Sequence, residues 1–175
     1  MARPLRKLDR KHLATAVDSL YFASENPLKV LKYFDKLKLI QNQMQKLCHV
    51  KVRRYDLLNF AVQDIIASEI ELALIEHRKS VQSLYLYPHT IETIQKAKEA
   101  IIDDIRTDCR PLTAWSLLYH VHVRTEFGLS YSSFSEIAGM NVRTTNRYKN
   151  LGIDLLLQRF IRHELEIQKS ALSTL

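Results

Sequence analysis

Apolar residues recur at intervals of three and four along most of the chain, which is the spacing of one face of an α-helix. The pattern predicts a first helix over Leu8–Ser24 and a third over Arg53–Lys79. Between them, Asn26–Pro27 is a start signal, because asparagine can cap a helix and proline fits its first position. That second helix continues towards Leu47, and the pattern leaves open whether it breaks near Lys38. The amino-terminal part is therefore predicted to be a helical bundle.

Two further helices are predicted in the middle of the chain. The fourth covers Thr90–Thr107, with Ile94 and other aliphatic residues facing inward, and follows a connector at Leu84–Pro88. It ends before Pro111, because the residue that precedes proline disfavours helix. The fifth covers Leu112–Phe127 and stops at a glycine. We place a domain boundary here: residues 1–110 form a helical bundle of unknown role, and residues 111–175 form a second domain.

The small number of glycines favours a helical fold over a sheet fold. The 175 residues include only three glycines, Gly128, Gly139 and Gly152. A sheet protein of this size would use more of them in hairpin turns, so we expect an all-α fold. No glycine-rich phosphate loop can be built from these positions. An apolar content of 46% with 26% charged residues also argues against a disordered chain.

The sequence offers no metal site, cofactor site or catalytic constellation. Cys48 and Cys109 lie too far apart to suggest a zinc cluster. His120 and His122 are two residues apart, which places them on different helix faces, so we expect one packed and one exposed. We therefore predict that the protein is not an enzyme and holds no metal or cofactor.

Membrane insertion and secretion are not expected. The longest apolar candidate, Ile65–Ile75, contains two glutamates and is shorter than the roughly 20 residues of a spanning helix. Arg10 and Lys11 interrupt the region where a signal peptide would need an apolar run. We expect a cytoplasmic protein.

The segment Leu129–Tyr148 has the pattern of a helix-turn-helix. Ser130 can cap a short helix, Gly139 can turn the chain with a positive φ, and Asn141 can cap the next helix. That second helix extends past Phe160. The positions expected to be buried between the helices are Phe134, Ser135, Ala138, Thr145 and Tyr148.

These residues resemble the helix-turn-helix of sigma factor region 4 and of LuxR-type regulators. The resemblance rests on a Leu-Ser-Tyr start, the central Gly139 and the Arg143–Thr144 pair, and it spans residues 112–160 when the preceding helix is included. Ser135 and Thr145 depart from it, since the family has alanine and valine or isoleucine there. The resemblance implies that the second helix enters the major groove of DNA.

The second motif helix carries side chains suited to nucleic acid. Arg143 and Arg147 lie one turn apart with Asn146 beside them, and these groups can bind guanine and adenine edges. Residues 141–163 carry five cationic side chains and one acid, within a chain of net charge +7. The predicted DNA-binding residues are Ser130, Asn141, Arg143, Thr144, Asn146, Arg147 and Lys149.

The sequence therefore predicts a DNA-binding protein, either a transcriptional regulator or the DNA-recognition part of a larger system. Its partner would be double-stranded DNA, with a possible homodimer or protein partner. The alternative is a protein-interaction adaptor of a larger, possibly ATP-dependent, assembly with no DNA binding. An apolar seam on the last helix, at Leu155, Leu156, Phe160 and Leu165, could bind a partner or pack on the bundle, and we favour packing.

Overall fold

The computed structural model describes residues 8–21, 28–47, 49 and 52–172. Its α-helices are α1 (Arg10–Tyr21), α2 (Leu28–Leu31), α3 (Lys38–Lys46), α4 (Arg54–Ser80), α5 (Ile94–Arg106), α6 (Arg110–Leu118), α7 (Tyr131–Ile137) and α8 (Val142–Leu172). No strand occurs among the described residues, and the predicted all-α fold is confirmed. None of the described helices is both long enough and apolar enough to cross a membrane.

Residues that pack together form two units. The central unit is Ala67–Leu155, and the terminal unit combines the described residues up to Ile66 with those from Leu156 onward. The central unit includes residues on both sides of position 110. A group of packed residues is not in itself a domain, so the predicted boundary at 110/111 stays a prediction.

The second predicted helix is divided in two. Its predicted start at Asn26–Pro27 lies outside the described residues. Beyond it, α2 ends at Leu31, the chain turns, and α3 begins at Lys38. The break near Lys38, which the apolar pattern left open, is therefore present.

The fourth predicted helix begins later than expected. The chain makes a single 3₁₀ turn at Pro88–Thr90, and α5 begins only at Ile94. The reason is local: the Thr93 hydroxyl accepts a hydrogen bond of 3.2 Å from the Lys96 N–H and so caps the helix. Ile94 then occupies the first turn with 45% of its surface exposed, and the expectation that it faces inward is wrong.

The fifth predicted helix is irregular at its end. After α6, residues Tyr119–Val123 form a π-helical turn and Thr125–Phe127 a 3₁₀ turn, which ends at Gly128 with φ +61°. His120 and His122 are both buried, with 0% and 3% of their surface exposed, so the expectation of one exposed histidine is wrong. The segment from Leu112 to His122 is buried on every face, so position on a face does not separate the two rings.

The break between α2 and α3 is stabilised from far along the chain. In the terminal unit, the buried Glu164 carboxylate accepts hydrogen bonds from the backbone N–H groups of Lys38 and Leu39, at 3.0 and 2.9 Å. Leu37, the residue at the N-cap position, supplies no side-chain bond. Glu164 thus satisfies amide groups that the first turn of a helix leaves without partners, and a negative charge is favourable at that end.

Replacing Glu164 by alanine is expected to lower the free energy of unfolding by about 3 kcal/mol, because two backbone bonds to a charged acceptor are lost. Urea unfolding monitored by circular dichroism measures the change. The matched control is Glu166→Ala, which removes an exposed glutamate two positions along the same helix. Equal losses in the two variants would contradict the capping role.

Candidate nucleic-acid interface

The short helix α7 is closed by a hydrogen bond at each end. The Ser130 hydroxyl accepts the Ser133 N–H at 3.1 Å, which caps the helix as predicted. At the other end, the Met140 N–H donates to the Ser135 carbonyl at 2.9 Å and the Gly139 N–H to the Glu136 carbonyl at 3.2 Å. This pair of bonds is a Schellman motif, which needs a residue of positive φ. Gly139 supplies it with φ +61°.

The next helix starts within two residues of that turn. The Asn141 side-chain oxygen accepts the Thr144 N–H at 2.9 Å, so Asn141 caps α8. Ser130 and Asn141, both among the predicted DNA-binding residues, therefore use their side-chain oxygens as caps. Their direct effect in this structure is to define where α7 and α8 begin.

The two motif helices meet through a buried pair of hydroxyl groups. Ser135 and Thr145 are both buried, and their side-chain oxygens lie 2.7 Å apart. Ser135 also donates to the Tyr131 carbonyl at 2.8 Å. These are the two positions at which the sequence departs from the sigma and LuxR pattern, and they contact each other. A hydrogen bond therefore joins these two positions.

This contact predicts that the two positions are coupled. Ser135→Ala and Thr145→Val are each expected to lower the free energy of unfolding by about 1 kcal/mol, because each leaves a buried hydroxyl without that partner. The free energy of unfolding of the double variant should fall by less than the sum, since neither hydroxyl is then left in the interior without the other. Urea unfolding of the four proteins measures the coupling, with Ser132→Ala, at an exposed serine of the same helix, as the control. Additive losses would contradict the contact.

The outer face of α8 presents the predicted base-reading residues. Arg143, Asn146 and Arg147 are all exposed in its first two turns, and Thr144 is half-buried beside them. Within the described part of the chain, neither arginine makes an ion pair. Both guanidinium groups are therefore available to an anionic or hydrogen-bonding partner.

Lys149 has a contact inside the protein. Its ammonium group lies 4.8 Å from the centre of the Tyr131 ring, a cation–π distance. The Tyr131 hydroxyl in turn hydrogen-bonds Nε2 of the buried His122. The structure thus links Lys149 to the first residue of α7, a role that its position on the helix did not indicate.

A groove runs between α6 and the first turns of α8. Its volume is about 330 Å³, and its lining residues are Arg110, Thr144, Arg147, Tyr148 and Leu151. Gly152 allows the two helices to approach: a Cβ atom there would lie 2.8 Å from Leu118 Cδ1 and 3.3 Å from the Ala114 carbonyl oxygen. Arg110 is not among the predicted DNA-binding residues, because it lies between two predicted helices and belongs to no periodic pattern.

The interior of the central unit contains polar groups that the sequence did not reveal as partners. Arg78 and Asp104 are fully buried, and the guanidinium donates to both carboxylate oxygens at 2.8 and 2.7 Å. Burial raises the pKa of Asp104, and the Arg78 charge opposes that shift. Each residue lies on the buried face of its helix. A charged residue at such a position, with opposite sign in the two helices, was the sequence signal for a buried ion pair.

Among the described residues, no group of three or more histidine, cysteine, aspartate or glutamate side chains is placed to hold a metal ion. The chain matches no protein-family model, no curated protein and no solved structure.

Proposed function

We propose that the protein binds double-stranded DNA with the amino-terminal turns of α8 against the bases. The observation that carries the proposal is the exposed set of Arg143, Asn146 and Arg147 on those turns, next to a capped turn. Arginine can bind guanine, and asparagine can bind adenine, each through two hydrogen bonds in the major groove. A transcriptional regulator or the DNA-recognition part of a larger system would use such a surface.

Charge and rigidity support the same proposal. Residues 141–150, at the start of α8, carry three cations (Arg143, Arg147 and Lys149) and no acid, which favours a polyanion. The bonds that close α7 and cap α8 hold the start of α8 relative to α7. A recognition surface that is ordered before binding loses less conformational entropy when it binds.

Arg143→Ala is expected to weaken binding to the preferred duplex by about 1–3 kcal/mol, because one base contact is lost. The preferred duplex is first selected from random sequences with the wild-type protein, and affinity is then measured by fluorescence anisotropy. Arg162→Ala is the matched control, because it removes an exposed arginine further along the same helix. Wild-type affinity should also fall steeply with added salt.

Two results would contradict the proposed DNA binding. If the wild-type chain binds no duplex even at low salt, it is not a DNA-binding protein. A stable complex with a protein partner that neither arginine affects would instead support the adaptor function.

A further inference from the structure

We infer that the groove between α6 and α8 holds one phosphate of the DNA backbone, gripped by Arg110 and Arg147. In this arrangement Arg147 contacts the DNA backbone and positions the duplex, but it contacts no base. Arg110 is then a further residue of the DNA interface. This inference rests on the proposed DNA binding and assigns backbone contacts and base contacts to different residues of that surface.

The groove has the chemistry of a phosphate contact. Arg110 approaches from α6 and Arg147 from α8, and both are exposed. In the part of the chain that the structure describes, neither makes an ion pair, and no carboxylate lines the groove. A guanidinium presents several N–H groups in a planar fork that fits phosphate oxygens. Two such forks facing one groove can bind a single phosphate between them.

Thr144 adds a neutral donor to the same groove. Its backbone N–H is already used by the Asn141 cap, which leaves the side-chain hydroxyl of this lining residue as the donor. Hydroxyl groups of threonine are common phosphate contacts in protein–DNA interfaces. Half-buried Tyr148 and Leu151 complete the lining with less polar surface.

The lining of the groove distinguishes the residues that would contact the phosphate from those that would contact bases. Thr144, Arg147, Tyr148 and Leu151 follow one another at intervals of three, one and three, so they form a single stripe along α8. Arg143 and Asn146 are three residues apart on the adjoining stripe and do not line the groove. Arg147 lies at the edge of the groove stripe, one turn from Arg143, and is the exposed arginine of α8 that lines the groove. The groove stripe would therefore face the DNA backbone, and the adjoining stripe would carry the two base-reading residues.

The test measures affinity against salt for the full-length chain on the selected duplex. Arg110→Ala and Arg147→Ala should each weaken binding by a similar factor on matched and unmatched sequences. Each should also reduce the slope of log affinity against log salt by about 1. Arg143→Ala should instead relax the preference at one base position. The matched control is Arg106→Ala, an exposed arginine at the end of α5 that does not line the groove.

A second measurement locates the phosphate. Duplexes in which one backbone phosphate at a time is replaced by an uncharged methylphosphonate are titrated with each variant. At one position the replacement should weaken wild-type binding by a larger factor than it weakens the binding of Arg110→Ala or of Arg147→Ala, because each variant has only one of the two contacts to lose. The same position for both arginines supports a shared phosphate.

Three results would overturn the inference while leaving DNA binding intact. They are relaxed base preference in Arg147→Ala, an effect of Arg110→Ala no larger than that of Arg106→Ala, and different phosphate positions for the two arginines. Absence of wild-type duplex binding at low salt overturns both the inference and the proposed function. Circular dichroism of each variant confirms that the exposed substitutions leave the fold unchanged.

Discussion

Replacement of Arg78 by alanine is expected to lower the free energy of unfolding by about 3–5 kcal/mol, the loss typical of breaking a buried ion pair. For a chain of 175 residues this corresponds to a fall in Tm of roughly 10 °C. The guanidinium is fully buried, donates to both oxygens of Asp104, and donates to the Tyr85 carbonyl at 2.7 Å. Its removal leaves a carboxylate and a carbonyl in the interior without that partner.

Thermal and urea unfolding measure this loss, with Lys79→Ala as the control because Lys79 is the exposed cation next along α4. A double variant, Arg78→Met with Asp104→Leu, should recover most of the stability, since paired buried charges can often be replaced by apolar groups. If Arg78→Ala unfolds like Lys79→Ala, the ion pair contributes little. If the double variant is no more stable than Arg78→Ala, the uncompensated Asp104 charge is not the cause of the loss.

His120 is expected to make the protein sensitive to acid. Burial, together with the nearby charges of Arg78 and Arg124, lowers the pKa of its imidazole to about 3. Neither ring nitrogen has a hydrogen-bond partner among the described residues. In the unfolded chain the imidazole takes up a proton near its ordinary pKa of 6.5, whereas the folded chain resists protonation until about pH 3.

The sign of the effect follows from that difference. Between about pH 6.5 and 3 the unfolded state binds one more proton than the folded state, so stability falls as the pH falls. From this group alone we expect the free energy of unfolding to fall by about 2 kcal/mol between pH 7 and pH 5, and by about 4 kcal/mol between pH 7 and pH 3. Above pH 6.5 the contribution is constant.

Urea unfolding of the wild type and of His120→Leu at pH 7, 6 and 5 measures this dependence. The variant should lose about 2 kcal/mol less than the wild type over that range, because it lacks the group that titrates. His49→Leu, at an exposed histidine, controls for the removal of one imidazole from the chain. An unchanged pH slope in His120→Leu would show that another group causes the acid sensitivity.

The sequence by itself determined the features that arise within a few residues. The all-α class followed from apolar spacing and glycine content, and α4 lies within one residue of its predicted bounds at each end. The caps at Ser130 and Asn141 and the turn at Gly139 are present as predicted. Such bonds join atoms at most five residues apart, so residue types in sequence are sufficient to predict them.

Only the tertiary structure decided which distant groups meet. Glu164 caps α3 across 126 positions of the chain, Arg78 pairs with Asp104 across 26, and Arg110 shares a groove with Arg147. The pattern places each of these residues on a helix face or between helices but does not choose its partner. That choice depends on how the helices pack, which is why a charge within an apolar stripe becomes informative only when the opposing helix is known.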